Sequence, residues 1–295
     1  MQRDLIGYGK NVPQIEWPGK ARIAVSLVVN YEEGSEYSTL DGDAHHETNG
    51  EVPSPVPAQD RDLNNESFFE YGSRVGVWRL MDMFKRHGLK STFFCCALAL
   101  ERNPKLAREI TAQGHEVCGH GYRWEEVFML SEDQEREHIR LAIESFKNTC
   151  GKRPVGWYCR YGPSIHTRRL LIEEGGFIYD SDAYNDDVPY FTEVSGKKHL
   201  VVPYTPDAND FNFWLAPGFV TADDFNIYLK DSFDTLYEES EKSPRLMSVG
   251  LHPRIIGRPG KIKSLSNFID YAKQQNGVWF ATREEIARDW LSIDG

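Results

Sequence analysis

No long apolar run occurs in this sequence. The first twenty residues, MQRDLIGYGKNVPQIEWPGK, are polar and broken by proline and glycine, so they lack the apolar centre of a secretory signal. No later stretch approaches the length of a membrane span. Basic stripes and blocks of like charge are missing too: 34 Lys+Arg stand against 45 Asp+Glu, a formal charge of −11, which argues against a nucleic-acid partner. Cysteines are few and odd in number. Cys95, Cys96, Cys118, Cys150 and Cys159 contain no CxxC spacing, and three lie inside apolar runs, which suits reduced thiols and argues against a disulfide framework or dithiol redox chemistry. Internal repeats and low-complexity tracts are absent. The expectation is a soluble, cytoplasmic protein with neither membrane nor nucleic acid among its partners.

What is present is an alternation. Short runs rich in β-branched and aromatic residues fall at 22–30, 91–98, 115–121, 154–160, 176–182, 199–205, 245–252 and 277–282. Most are unbroken rather than alternating, as strands covered on both faces are. Helix signals stand between them. Asn103-Pro104 predicts a cap and first turn, Ser131 with Gln134 a capping box before a helix ending near Gly151, and Thr221 the opening of another. Strand alternating with helix predicts an α/β fold, a single domain over 1–295 with a parallel sheet closed or nearly closed as a barrel. Two segments break the pattern: 34–66, rich in proline and acid, and 183–219, unusually aromatic. Both read as long loops, of the kind that form lids or pocket walls or stay disordered.

Polar residues gather where strands end: Asn30 to Glu33, His120, Arg160, Asp180 and Asp182, and His252. In a parallel barrel the carboxyl ends of all strands open on one face, and that face carries the chemistry. Any single position has an ordinary explanation, and for Asp180 or Asp182 a cap or salt bridge is at least as good. Five strands agreeing is much harder to explain that way. His115 and His120 lie an odd number of residues apart, so an extended chain turns them to opposite faces. His120 is the site candidate and His115 the structural one. His45 and His46 read as solvated, and His87, His138, His166 and His199 carry no signal.

NYEEG (30–34), GHEVCGHGYRW (114–124) and GLHPRIIGRPG (250–260) resemble the short motifs of the polysaccharide-deacetylase superfamily. RDLIGYG, WPGKARIAV, NYEEGSE, EYGSRVGVWRL, EEGGFIYDSDAYNDDVPY, VVPYTPDAND and SVGLHPRIIGRPG resemble more closely its allantoinase branch, in bacterial purine catabolism. The resemblance implies a distorted (β/α) barrel. In metal-dependent members an acid and two histidines hold zinc, and carried over this gives Glu33, His120 and Trp124. Indole nitrogen has no lone pair to offer a metal. Glu33 and His120 alone fall short of a catalytic zinc set. Glu125 or Glu126 is a poor substitute if the segment is helical, since one or two positions turn a side chain away. The resemblance therefore implies a reaction without a cofactor, allantoin opening to allantoate, with a small ureide as partner and a homo-oligomeric assembly.

Without a metal, side chains must supply base and electrophile. Glu32 or Glu33 is the candidate for activating water, and His120 or His252 for protonating the leaving nitrogen or holding the oxyanion. Arg160 is expected either to orient Glu33 or to bind substrate. Trp124, Tyr158 and Asp182 complete the candidate substrate-binding set, with Trp124 either a pocket wall or packing beneath His120. Two other functions compete. A zinc N-deacetylase of chitin or peptidoglycan would use Phe211, Phe213 and Trp214 to stack on sugars. A barrel that binds without catalysis would explain a lost ligand but not five retained polar positions.

Overall fold

The computed structural model describes residues 3–49 and 53–293. Nine strands form one sheet: β1 Ile23–Tyr31, β2 Thr92–Cys95, β3 Glu116–Gly119, β4 Gly156–Trp157, β5 Tyr179–Asp180, β6 Tyr190–Val194, β7 Lys197–Val201, β8 Arg245–Leu251 and β9 Val278–Phe280. The spatial order is β6-β7-β5-β4-β3-β2-β1-β8, with β9 paired to the first residues of β1 while β2 takes its last ones. Every pairing is parallel except β6 with β7. All nine residues of β1 are buried, which explains its unbroken apolar run: helices cover the outer face and barrel contents the inner.

The helix signals hold. Asn103 caps Pro104–Ala112, and Ser131 and Thr221 form reciprocal capping boxes at Glu132–Cys150 and Ala222–Glu239. The aromatic segment 183–219 differs from expectation, because it contains β6, which with β7 makes a complete hairpin. Ser195-Gly196, both at positive φ, make the two-residue turn between β6 and β7. The extra strand lies at the sheet's end, where its residues are mostly half-exposed, so it lacks the apolar density of the central strands.

The barrel is nearly closed. Among the described residues no strand pairing joins the two ends of the sheet, β6 and β8, and irregular chain fills the gap. Leu246 N–H donates to Asp187 O (2.7 Å), Gly250 N–H to Ala208 O (2.8 Å), and Ser248 Oγ to Pro203 O (3.2 Å). The barrel therefore has a seam sewn by residues 187–209. Arg283, fully buried, crosses the interior behind it, donating to Ser181 Oγ and Ser248 Oγ (2.9 Å each) and to the Val202 and Pro203 carbonyls. Its fork satisfies carbonyls that a missing strand leaves unpaired.

A long helical stretch is shaped to touch the barrel mouth. Helices Leu63–Tyr71 and Val77–His87 run together through a wider turn, Gly72–Gly76. A Cβ at Gly72 would overlap Glu33 Oε1, and one at Gly76 would overlap the Pro253 carbonyl, between His252 and Arg254. Gly76→Ala is expected to lower stability by about 1–3 kcal/mol and to reduce any activity of the site, read by denaturant unfolding and by turnover on one sample. Backbone cannot yield as a flexible side-chain tip does.

Candidate active site

Glu32 follows β1, His120 follows β3 and His252 follows β8, so three elements deliver them to the carboxyl end of the sheet. The histidines converge on one oxygen. His120 Nε2 lies 3.3 Å and His252 Nε2 3.7 Å from Glu32 Oε1. Glu32 Oε2 lies 2.7 Å from Arg254 Nη1. Glu32 and His120 are 2 % exposed and His252 9 %, so His252 is the most accessible of the three.

Each imidazole is fixed from behind. His120 Nδ1 donates to Tyr158 O at 2.8 Å, and the ring stacks on the Tyr158 phenol at 7° between planes. His252 Nδ1 donates to Asp210 Oδ1 at 2.6 Å. Asp210, fully buried, also accepts from the backbone N–H of His252 (2.7 Å) and Ile256 (3.1 Å). Carbonyls and carboxylates only accept, so both Nδ1 atoms carry hydrogen and both Nε2 atoms are left to exchange protons in the pocket. For His252, burial disfavours the charged ring, but Asp210 and then Glu32 outweigh it and raise the pKa. For Glu32, burial pushes upward, yet Arg254, then His252 and His120, hold the carboxyl well below the usual carboxylate range.

Glu33 points elsewhere. Its Oε2 accepts from Glu32 N–H (3.1 Å), while Oε1 lies 3.7 Å from Arg254 Nη1 and abuts Gly72. Among the described contacts it meets neither histidine. Burial, then the neighbouring Glu32 charge, offset partly by Arg254, raises its pKa to about 8. The expected pairing of Glu33 with His120 is thus corrected to Glu32 with His120, because consecutive residues leaving a strand project in opposite directions.

Of the two roles expected for Arg160, orienting Glu33 is set aside by its contacts. Its guanidinium does not orient Glu33; it forks onto Glu47 (2.8 and 2.9 Å), donates to Trp124 O (3.0 Å) and lies 3.7 Å over the Trp124 ring. Glu47 belongs to segment 34–66, which this fork and the Asn65 bond to Glu47 O (2.7 Å) pin down as a pocket wall. Residues 50–52 of that segment lie outside the described residues. His46, expected in solvent, is buried with its ring bonded to Asp60 O (2.9 Å). Arg160→Lys is expected to loosen this wall by about 1–3 kcal/mol, since an ammonium cannot reproduce a bidentate, stacked contact. Thermal unfolding and proteolysis within residues 34–66 would read the change.

Trp124 is buried, with the Arg254 guanidinium 5.4 Å from its ring. It packs against Phe69 (6.0 Å) and holds two cations. Residues 121–126 are bends and turns rather than helix; Glu125 pairs with His138 and Glu126 with Arg160 (3.2 Å), so both are engaged elsewhere. Tyr158 stacks on Phe94 and bonds its hydroxyl to Tyr184 (2.7 Å). Asp182 accepts from Cys159 N–H (2.8 Å), and burial with the adjacent Asp180 charge raises its pKa to about 7. Asp180 is a salt-bridging residue, held by Arg168 (2.6 Å) and His199 (2.9 Å). His115 packs under Phe84 and Phe93, away from the pocket.

Asp210 and Arg254 had not been singled out in the sequence. Arg254 stands two residues after His252, and that spacing was the signal available. Asp210 sits in the seam, and nothing in DANDFNF distinguishes it from a cap.

The polysaccharide deacetylase family pattern matches residues 67–177. A Schizosaccharomyces pombe protein named as a polysaccharide deacetylase is 39 % identical, over 98 % of this chain and 96 % of its own. The chain belongs to the polysaccharide deacetylase family. It is a hydrolase of that family, acting on carbon–nitrogen bonds. A Pseudomonas aeruginosa structure titled a polysaccharide deacetylase superposes with a TM-score of 0.94 at 49 % identity, covering 98 % of each chain. The structure of Puue allantoinase gives the same score and identity over 99 % of this chain and 98 % of its own.

The zinc that the deacetylase family implies does not fit these side chains. Arg254 already occupies Glu32 Oε2, and two guanidinium groups lie against the ring standing where a second histidine would be. A further cation there would meet like charge in a medium that screens it poorly. Among the described residues no group of three or more His, Cys, Asp or Glu could hold an ion.

Proposed function

We propose that the protein is an allantoinase, adding water across the ring amide of allantoin to give allantoate without a metal. One observation carries the reading: two imidazole Nε2 atoms and an arginine converge on Glu32, while Trp124 takes a ligand's position. The near-complete likeness to Puue allantoinase supports it.

The arrangement divides acid from base. Glu32, kept ionised, and His120 are the base side, sharing the proton that leaves the attacking water as its oxygen bonds the carbonyl carbon. His252, charged against Asp210, is the acid side and gives its Nε2 proton to the ring nitrogen as the carbon–nitrogen bond breaks. The new carboxylic acid returns its remaining proton to His252, the base side releases its proton to solvent, and the product leaves as a carboxylate with a freed ureide nitrogen. Positioned acid and base groups of this kind contribute about 10²–10⁴-fold each.

The test is allantoin hydrolysis after exhaustive chelation, with metal content measured on the same sample. Turnover by metal-free protein is the expected result. No turnover with or without zinc, together with acetate release from chitin oligomers, would replace this reading with the sugar deacetylase.

A further inference from the structure

The zinc that the family implies would put a positive charge beside the acid, and here Arg254 puts one there. We propose that Arg254 is a positioning residue standing in for the metal, its guanidinium holding the Glu32 carboxylate in register between His120 and His252. The inference rests on the pocket being the catalytic one, but its test does not depend on the substrate.

Arg254 is 3 % exposed, so water contributes little to keeping its charge. Its surroundings do that instead. Glu32 lies at 2.7 Å and Glu33 at 3.7 Å, and the Phe69 and Trp124 rings lie 4.6 and 5.4 Å from the guanidinium carbon. Aromatic faces attract a cation without competing for its hydrogen-bonding fork. Arg160 then covers Trp124 and locks it through Glu47. The line Glu47, Arg160, Trp124, Arg254, Glu32 places an acid–base pair on each side of one ring, and it spans the position that breaks the zinc set. Gly76 against Pro253 sets the backbone that delivers Arg254 and His252 together.

The groups facing Glu32 are Arg254 and His252 after β8, His120 after β3, and Glu33 beside it; Cys96 is close enough to feel its charge. Facing Arg254 are Glu32 and Glu33, with Glu36 farther off. Of the groups on Glu32, Arg254 alone carries a charge that no working pH removes. It acts first among the groups that lower the Glu32 pKa. Without it, Glu32 would keep only imidazole partners, and an imidazole, unlike a guanidinium, can be neutral.

The experiment is a carbon-13 titration of side-chain-labelled glutamate, with Glu32→Gln identifying the Glu32 resonance, in the parent, Arg254→Met and Arg254→Lys. The parent resonance is expected to stay that of a carboxylate down to pH 4. In Arg254→Met it should titrate at least one pH unit higher than in the parent, and Arg254→Lys should restore most of the difference. On allantoin, the acid limb of kcat/KM should move upward by the same interval. Glu32 titrating alike in parent and Arg254→Met would overturn the proposal, whether or not allantoin is hydrolysed. Should the methionine variant fail to fold, Arg254→Gln keeps a stem over Phe69 and Trp124 and takes its place. The expected upward shift of Glu32 in Arg254→Met, found in a protein inactive on allantoin, would uphold the role of Arg254 and reject the substrate.

Discussion

Glu32→Gln is expected to cut kcat/KM for ring opening by about 10²–10⁴-fold, while Glu33→Gln stays within about tenfold of the parent. The two carboxyls are adjacent in sequence and both buried, so the contrast isolates geometry. Glu32 meets both Nε2 atoms and, at 2.7 Å, Arg254 Nη1; Glu33 meets a backbone N–H, Gly72 and, at 3.7 Å, the same Nη1. Stability should separate them too, with opposite signs. Glu32 has a depressed pKa, so its contribution is present above the ordinary carboxylate value and lost as pH falls through the lowered one. Glu33 has a pKa raised to about 8, so its contribution is present below the ordinary value and lost as pH rises toward and through 8. Denaturant unfolding at pH 6 and pH 9 should therefore show Glu33→Gln gaining on the parent as pH rises. Glu32→Gln should be destabilised at both, by up to about 3–5 kcal/mol, because it leaves Arg254 buried without its counter-charge. Equal turnover losses for the two variants would refute this division of roles.

Asp210→Asn is the second large effect. The aspartate touches no position a substrate would reach, yet it fixes the His252 tautomer and supports its positive form. An amide in its place accepts less strongly and can turn its NH2 toward Nδ1, which moves the ring proton onto Nε2 and weakens the imidazolium. The expected loss in kcat is about 10²–10³-fold, with KM little changed. The pH profile gives the sharper reading. In the parent, activity requires His252 protonated, and its raised pKa keeps it so above the ordinary histidine value; the alkaline limb should fall there. In Asp210→Asn that limb should shift downward while the acid limb, set by Glu32, stays in place. A loss of kcat with an unchanged alkaline limb would assign Asp210 to packing alone.

Why these roles were only half visible in the sequence follows from where each side chain gets its partners. The parallel strands, their helix caps and the polar residues at strand ends depend on local patterns, and a chain carries those patterns openly. The separation of His115 from His120 also followed from the two-residue period. Glu32 and Glu33 could not be told apart, since their difference is the direction each leaves β1, set by a wide helical turn forty residues later. The Arg160 pairing with Glu47 is not legible, because Glu47 lies in a segment without periodicity. The β6 strand escaped notice because a sheet end, half in solvent, needs no dense apolar run. The Arg254 charge was legible as a residue type but not as a function, because what defines it is a tryptophan 130 positions earlier in the chain.

The seam between the two ends of the sheet, β6 and β8, links mechanical and chemical states. Residues 203–209 complete the barrel by bonding to β8, and the next residue is the aspartate that holds His252. Lifting that short stretch would leave most of the parallel sheet paired and would still cut the imidazole loose from its anchor. The protonation of His252 therefore reports whether the last gap in the wall is shut. A local opening too small to register in overall unfolding would be visible as a drift in one histidine resonance, which makes this pocket a built-in gauge of how tightly its own scaffold is fastened.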